Sequence, residues 1–224
     1  MRNFFYFIYN PFQFLNKNKK HRSNNLVVSM FLFFLIVVVL KLLSLYSFEL
    51  LQVSYRSKIS FDYSLLFFLK VVIIAPVFEE FTFRSFLKIN KLSICFFLSG
   101  LTYTILLLLS NEYVLLVTLS ILIGVFGFLT IPKRKIQRIK VHKKRYNLFV
   151  YLSVILFGLI HLPNINFEHL SFLIIIIYLI PFIFGALIMS YLRLKYNLLT
   201  SIVFHSLINI IPFVIIFSKQ LLNY

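Results

Sequence analysis

Long apolar runs with almost no charge inside them recur along this chain, and they leave few folds open. Residues 31–40 read Phe-Leu-Phe-Phe-Leu-Ile-Val-Val-Val-Leu, and residues 172–180 read Phe-Leu-Ile-Ile-Ile-Ile-Tyr-Leu-Ile. A barrel strand would alternate apolar and polar residues, and these runs do not. In hydrocarbon an unpaired backbone N–H or C=O is costly, so unbroken apolar runs of this length read as helices. Of the 224 residues, 61% are hydrophobic and 13% charged, more apolar surface than a water-surrounded domain of this size can hide. The expected fold is therefore all-α: a polytopic membrane bundle of about seven transmembrane helices. The predicted spans are residues 26–45, 64–87, 92–109, 113–131, 148–162, 170–192 and 198–217.

The net charge of +17 comes from 23 Lys and Arg against 6 Asp and Glu. Such a balance suggests nucleic acid when it belongs to a separate basic domain, and no such domain is present. Basic loops against a lipid surface are the better reading, so the expected partner is the lipid bilayer and not nucleic acid. With the N-terminus inside, seventeen Lys and Arg fall in inside segments, three outside, and Lys41, Lys70 and Arg84 within spans. That asymmetry predicts a multi-pass cell-membrane protein with a cytoplasmic N-terminus and an outside C-terminus. Residues 1–25 form a basic and aromatic segment, whose Phe4, Phe5, Tyr6 and Phe7 are expected along the membrane surface. Residues 26–218 form the helical domain. No cleavable signal peptide is expected, because no small-residue cleavage site follows the first apolar run. Cys95 stands alone, so an internal disulfide and a cysteine metal site are both excluded.

Two of the six carboxylates are adjacent, in Ala75-Pro76-Val77-Phe78-Glu79-Glu80-Phe81-Thr82-Phe83-Arg84. Ionisable side chains in an apolar helix are expensive and point to function. Glu80 and Arg84 are i, i+4 neighbours and can pair. Glu79 lies on a different face, about 100° away, without such a partner. The neighbouring charge and the apolar surroundings should both raise its pKa, which suits a general base. His161 follows Phe157 by one turn, so the ring can pack on the imidazole; His205 and Asn209 share one helix face. A lone His in a span is more often a helix–helix hydrogen bond than a ligand. Together the set offers a base, two metal or oxyanion partners and an amide donor. His21 and His142 lie in basic loops, and His169 sits beside Glu168; all three are expected to be solvated.

The ordered trio Glu79-Glu80-x-x-x-Arg84, Phe157-x-x-x-His161 and His205-x-x-x-Asn209 resembles the CPBP family, the CAAX-protease and bacteriocin-processing endopeptidases also called Abi. That family includes the type 2 CAAX prenyl endopeptidases. The resemblance implies a helical membrane endopeptidase acting on a membrane-anchored or hydrophobic peptide. It implies Glu79 as activator of water, His161 and His205 as holders of a metal or of the water, and Asn209 as oxyanion donor. Glu80 and Arg84 would support the site. Zinc held by His161, His205 and Glu79 is one option, and metal-free attack by water on Glu79 is the other. Two rivals from other classes stay open: a non-catalytic membrane immunity or scaffold protein, and a proton-coupled transporter.

Overall fold

Every apolar segment of the sequence forms helix in the computed structural model, which describes residues 2–17, 26–50, 55–57, 64–109, 113–132, 143–162, 165–167 and 171–222. Two short helices, α1 (Arg2–Tyr9) and α2 (Pro11–Lys17), precede α3 (Leu26–Leu50). The second apolar segment is compound: α4 (Leu65–Leu69), a π turn (Lys70–Ile74), α5 (Ala75–Arg84) and a 3-10 turn (Ser85–Leu87). Then come α6 (Lys91–Leu109), α7 (Tyr113–Thr130), α8 (Lys143–Leu159), α9 (Phe172–Lys195) and α10 (Leu198–Leu222). A short antiparallel pair that periodicity did not suggest joins β1 (Tyr55–Ser57) to β2 (Ile165–Phe167).

Short polar side chains start several of these helices by accepting from otherwise orphaned N–H groups. Ser64 Oγ accepts from Phe67 N at 3.2 Å, and Ser171 Oγ from Ile174 N at 3.3 Å. Asn90 Oδ1 and Asn197 Oδ1 each accept at 2.8 Å, from Ser93 N and Thr200 N. The π turn has its own cause. In its i→i+5 register Ala75 N–H bonds the Lys70 carbonyl, so the next bond would run from residue 76 to the Val71 carbonyl. Residue 76 is proline and has no N–H to give. The Val71 carbonyl is thereby left over, and Asn209 takes it up from α10.

The main core is built around α9. Ala186, Ile188, Met189 and Leu192 join Phe33 and Val37 of α3, Val150, Val154 and Phe157 of α8, and Phe204 and Ile208 of α10. Part of the N-terminal aromatic segment belongs to this core, while Phe5 and Tyr9 stay exposed. Phe4, Phe7 and Phe14 are buried, with Phe4 on Phe33 at 5.0 Å and Phe14 on Tyr191 at 5.2 Å between ring centroids. Each buried ring stabilises the packing by roughly 1.5–3 kcal/mol, which explains why residues ahead of α3 fold back onto α9. A second cluster, Phe78, Tyr103 and Leu116, ties α5 to α6 and α7. There α6 passes so close to α5 that a Cβ on Gly100 would sit 2.6 Å from the Phe78 carbonyl.

Two helices among the described residues are long and apolar enough to cross a bilayer, Leu26–Phe48 and Phe172–Lys195. Among the described residues the other apolar helical stretches are shorter: Lys91–Leu107, Leu115–Thr130, Arg145–Leu159 and Leu198–Ile211. At 1.5 Å per residue, a helix of about 17 residues reaches about 25 Å, against roughly 30 Å of hydrocarbon. The second apolar segment is interrupted by its π turn and carries Glu79, Glu80 and Arg84. The all-α class therefore stands, and the expectation of about seven transmembrane helices does not. The multi-pass cell-membrane placement, with its inside N-terminus and outside C-terminus, falls with it. In the second segment apolar content runs on through helix breaks, whereas a crossing requires length within one continuous helix.

Candidate active site

One turn of α5 divides its two glutamates between different surroundings. Glu80 is fully buried and fully engaged. Its Oε1 lies 3.1 Å from Arg84 Nη1, the i, i+4 pair the sequence predicts, and 3.1 Å from His205 Nδ1. Its Oε2 accepts from the Ser201 hydroxyl, which has the Met189 carbonyl as a second acceptor at 3.0 Å. Arg84, also fully buried, lays its guanidinium over the Phe157 ring, with Cζ 4.0 Å from the centroid. Burial works against the Glu80 charge, but Arg84, His205 and Ser201 outweigh it and hold the carboxyl below the usual range.

Glu79 is partly exposed and differently placed. Its Oε2 is buried without a hydrogen-bond partner, and His205 Nε2 stands 3.6 Å away, beyond direct bonding distance. Burial raises the Glu79 carboxyl above its ordinary value; His205 and Arg84 oppose this, and the Glu80 charge adds to it. His205 thus spans both glutamates. Its Nδ1 faces a carboxylate that only accepts, so Nδ1 carries a proton.

The second and third motifs meet at a small cavity of about 30 Å³, lined by Phe157, His161, His205, Asn209, Lys41 and apolar neighbours. Phe157 does more than pack on His161, whose ring is 4.9 Å away; it also meets His205 edge-on at 5.5 Å. His161 Nδ1 is 2.7 Å from the Phe157 carbonyl, an acceptor, so Nδ1 holds the proton and Nε2 the lone pair. Burial pushes the His161 pKa down to about 3, which keeps the ring neutral. Asn209 lines the cavity too, but its Nδ2 donates to the Val71 carbonyl at 3.0 Å. Glu79 is not among the lining residues and approaches them through His205.

Among the described residues, no group of three or more His, Cys, Asp or Glu is placed to hold a metal ion. As placed, Glu79, His161 and His205 do not form an ion cage, and the chemistry below uses the side chains themselves. Two supporting residues were invisible in the sequence. Ser201 precedes His205 by one helical turn and shares its face, a weak signal in hindsight. Arg193 looks like a basic flank of an apolar helix. Instead it is buried and donates to the carbonyls of Arg84 and Ser85, each at 3.2 Å, and to Ser93 Oγ at 3.1 Å. It closes the C-terminal end of α5, where carbonyls lack helical partners. His21, His142, Glu168 and His169 lie outside the described residues.

No curated protein and no solved structure matches the chain. A family model, type II CAAX prenyl endopeptidase Rce1-like, matches residues 61–211. That stretch holds all three motifs, Glu79-Glu80-x-x-x-Arg84, Phe157-x-x-x-His161 and His205-x-x-x-Asn209, and bears out the resemblance they carried. Spanning most of its length, the match shows that this chain belongs to the Rce1-like family of CAAX proteases.

Proposed function

We propose that the chain hydrolyses a peptide bond in a hydrophobic or membrane-anchored peptide, with Glu79 as the base that activates water. One observation carries this reading. A buried carboxylate oxygen of Glu79 has no hydrogen-bond partner and faces His205 Nε2 across 3.6 Å, while every polar contact of Glu80 is taken. A water beside the pair can donate one hydrogen to that free carboxylate oxygen, which leaves its own oxygen able to attack. Glu80 fixes the His205 ring, and His161 presents a neutral acceptor nitrogen on the same cavity.

Hydrolysis then follows a balanced course. The water oxygen bonds to the peptide carbonyl carbon as one of its protons passes to the Glu79 carboxylate, and the carbonyl π pair moves onto oxygen. When the oxyanion collapses, the C–N bond breaks and the amine nitrogen takes the proton back from Glu79. A base lifted above the ordinary carboxylate range is better matched to this transfer than a solvent-exposed glutamate.

The test is Glu79→Gln in the full chain, assayed with fluorogenic hydrophobic peptides, prenylated and not. A loss of about 10²–10⁴-fold in kcat/KM with an unchanged thermal melt is expected. Equal cleavage by parent and variant would remove the base and favour a non-catalytic protein.

A further inference from the structure

Lys41 lies in the middle of the apolar helix α3, and outside the residues 61–211 that match the family. It is half-buried and lines the same cavity as His161, His205 and Asn209. The ion pair of the described site runs between Glu80 and Arg84, His205 approaches each glutamate, and none of these contacts reaches Lys41. A cation placed in an apolar helix without a carboxylate beside it asks for an anion from elsewhere.

Hydrolysis supplies that anion, and neither His161 nor Asn209 brings a positive charge to it. Neutral His161 has its proton on Nδ1, engaged by the Phe157 carbonyl, so toward the cavity it can only accept. Asn209 has one amide hydrogen committed to Val71. Arg84 does not line the cavity and is paired with Glu80. The formal charges of Glu79, Glu80, Arg84 and Lys41 sum to zero only when Lys41 is counted. During attack one negative charge leaves Glu79, as it takes the water proton, and appears on the carbonyl oxygen.

Resting on the peptide-hydrolysis reading above, we propose that Lys41, on the wall of the cavity it shares with His161, His205 and Asn209, is a catalytic residue whose ammonium stabilises the oxyanion formed on the scissile carbonyl. Its three N–H donors meet charge that exists only after attack, so its contribution falls on kcat and not on KM.

The experiment compares two ligands built on one hydrophobic peptide: a peptidyl phosphinate, tetrahedral and anionic, and the matching neutral hydroxyethylene isostere. Binding is measured calorimetrically to the full chain, to Lys41→Met, to Lys41→Gln and to Lys41→Arg. Both neutral variants should weaken phosphinate binding about 100-fold and leave the isostere within about twofold, while Lys41→Arg restores most of the loss. Equal phosphinate affinity in the parent and both neutral variants, or no phosphinate binding by the parent, overturns the proposal. So does a loss that disappears when the peptide's terminal carboxylate is amidated, because Lys41 would then read that carboxylate. If Lys41 governs phosphinate binding while Glu79→Gln cleaves like the parent, Lys41 stands and Glu79 as base falls.

Discussion

The junction where α5 meets α9 and α10 differs sharply from the cavity wall beside it. At the junction Glu80 is satisfied by Arg84, His205 and Ser201, and Arg193 satisfies two carbonyls and a hydroxyl. Outside it, Glu79 Oε2 has no hydrogen-bond partner, and Lys41 on the cavity wall takes part in none of the ion pairs among the described residues. Two adjacent glutamates thus separate holding from acting: one fixes the imidazole, and the other is left with capacity for a substrate. The junction keeps an exception at Arg84, whose Nε, Nη1 and Nη2 are buried without a hydrogen-bond partner, so its guanidinium rests on the Glu80 charge and the Phe157 ring.

Removing the paired carboxylate should have the largest structural effect. Glu80→Gln leaves Arg84 buried without its counter-charge, and a loss of about 3–5 kcal/mol in chemical or thermal unfolding is expected. A change within about 0.5 kcal/mol, the range of ordinary surface substitutions, would break the contrast between the two glutamates. Asn209→Leu should cost less, about 1–3 kcal/mol, because it strands the Val71 carbonyl that Pro76 cannot serve. Restoring an N–H with Pro76→Ala should recover part of that loss in the double variant, and simple additivity would argue against the link.

Acid should separate the two regions as well. The Glu79 pKa is raised, so the base is lost as pH falls through a value above the ordinary carboxylate range. The Glu80 pKa is depressed; its stabilisation is present above the unfolded-state value and disappears only as pH falls through the lower folded-state value. Cleavage is therefore expected to fail at a higher pH than folding does, with activity and near-ultraviolet dichroism followed in one titration. Coincident midpoints would merge the two roles.

Much of this site was legible without coordinates, because helix periodicity is a local rule. It placed Glu80 against Arg84, set Glu79 apart, and stacked Phe157 under His161. What it could not reach depends on how neighbouring helices are rotated and how deeply they sit. The His205 bridge between the glutamates and the Ser201 hydroxyl on Glu80 are contacts between α5 and α10. The diversion of Asn209 to Val71 needed the π register ahead of Pro76, which apolar patterning does not encode. Arg193 escapes periodicity for a similar reason, since a basic residue ending an apolar helix looks alike whether it faces solvent or clamps a buried turn. The span count failed because composition along the chain does not show where a helix stops.

The sharpest test sets Glu79→Gln beside Glu80→Gln in the same preparation, with peptide cleavage and the thermal melt recorded for both. Glu79→Gln should abolish cleavage and keep the parent's melting temperature, while Glu80→Gln should melt well below it. Full cleavage by folded Glu79→Gln, or a melt lowered as far as that of Glu80→Gln, would contradict the division of labour between the two carboxylates.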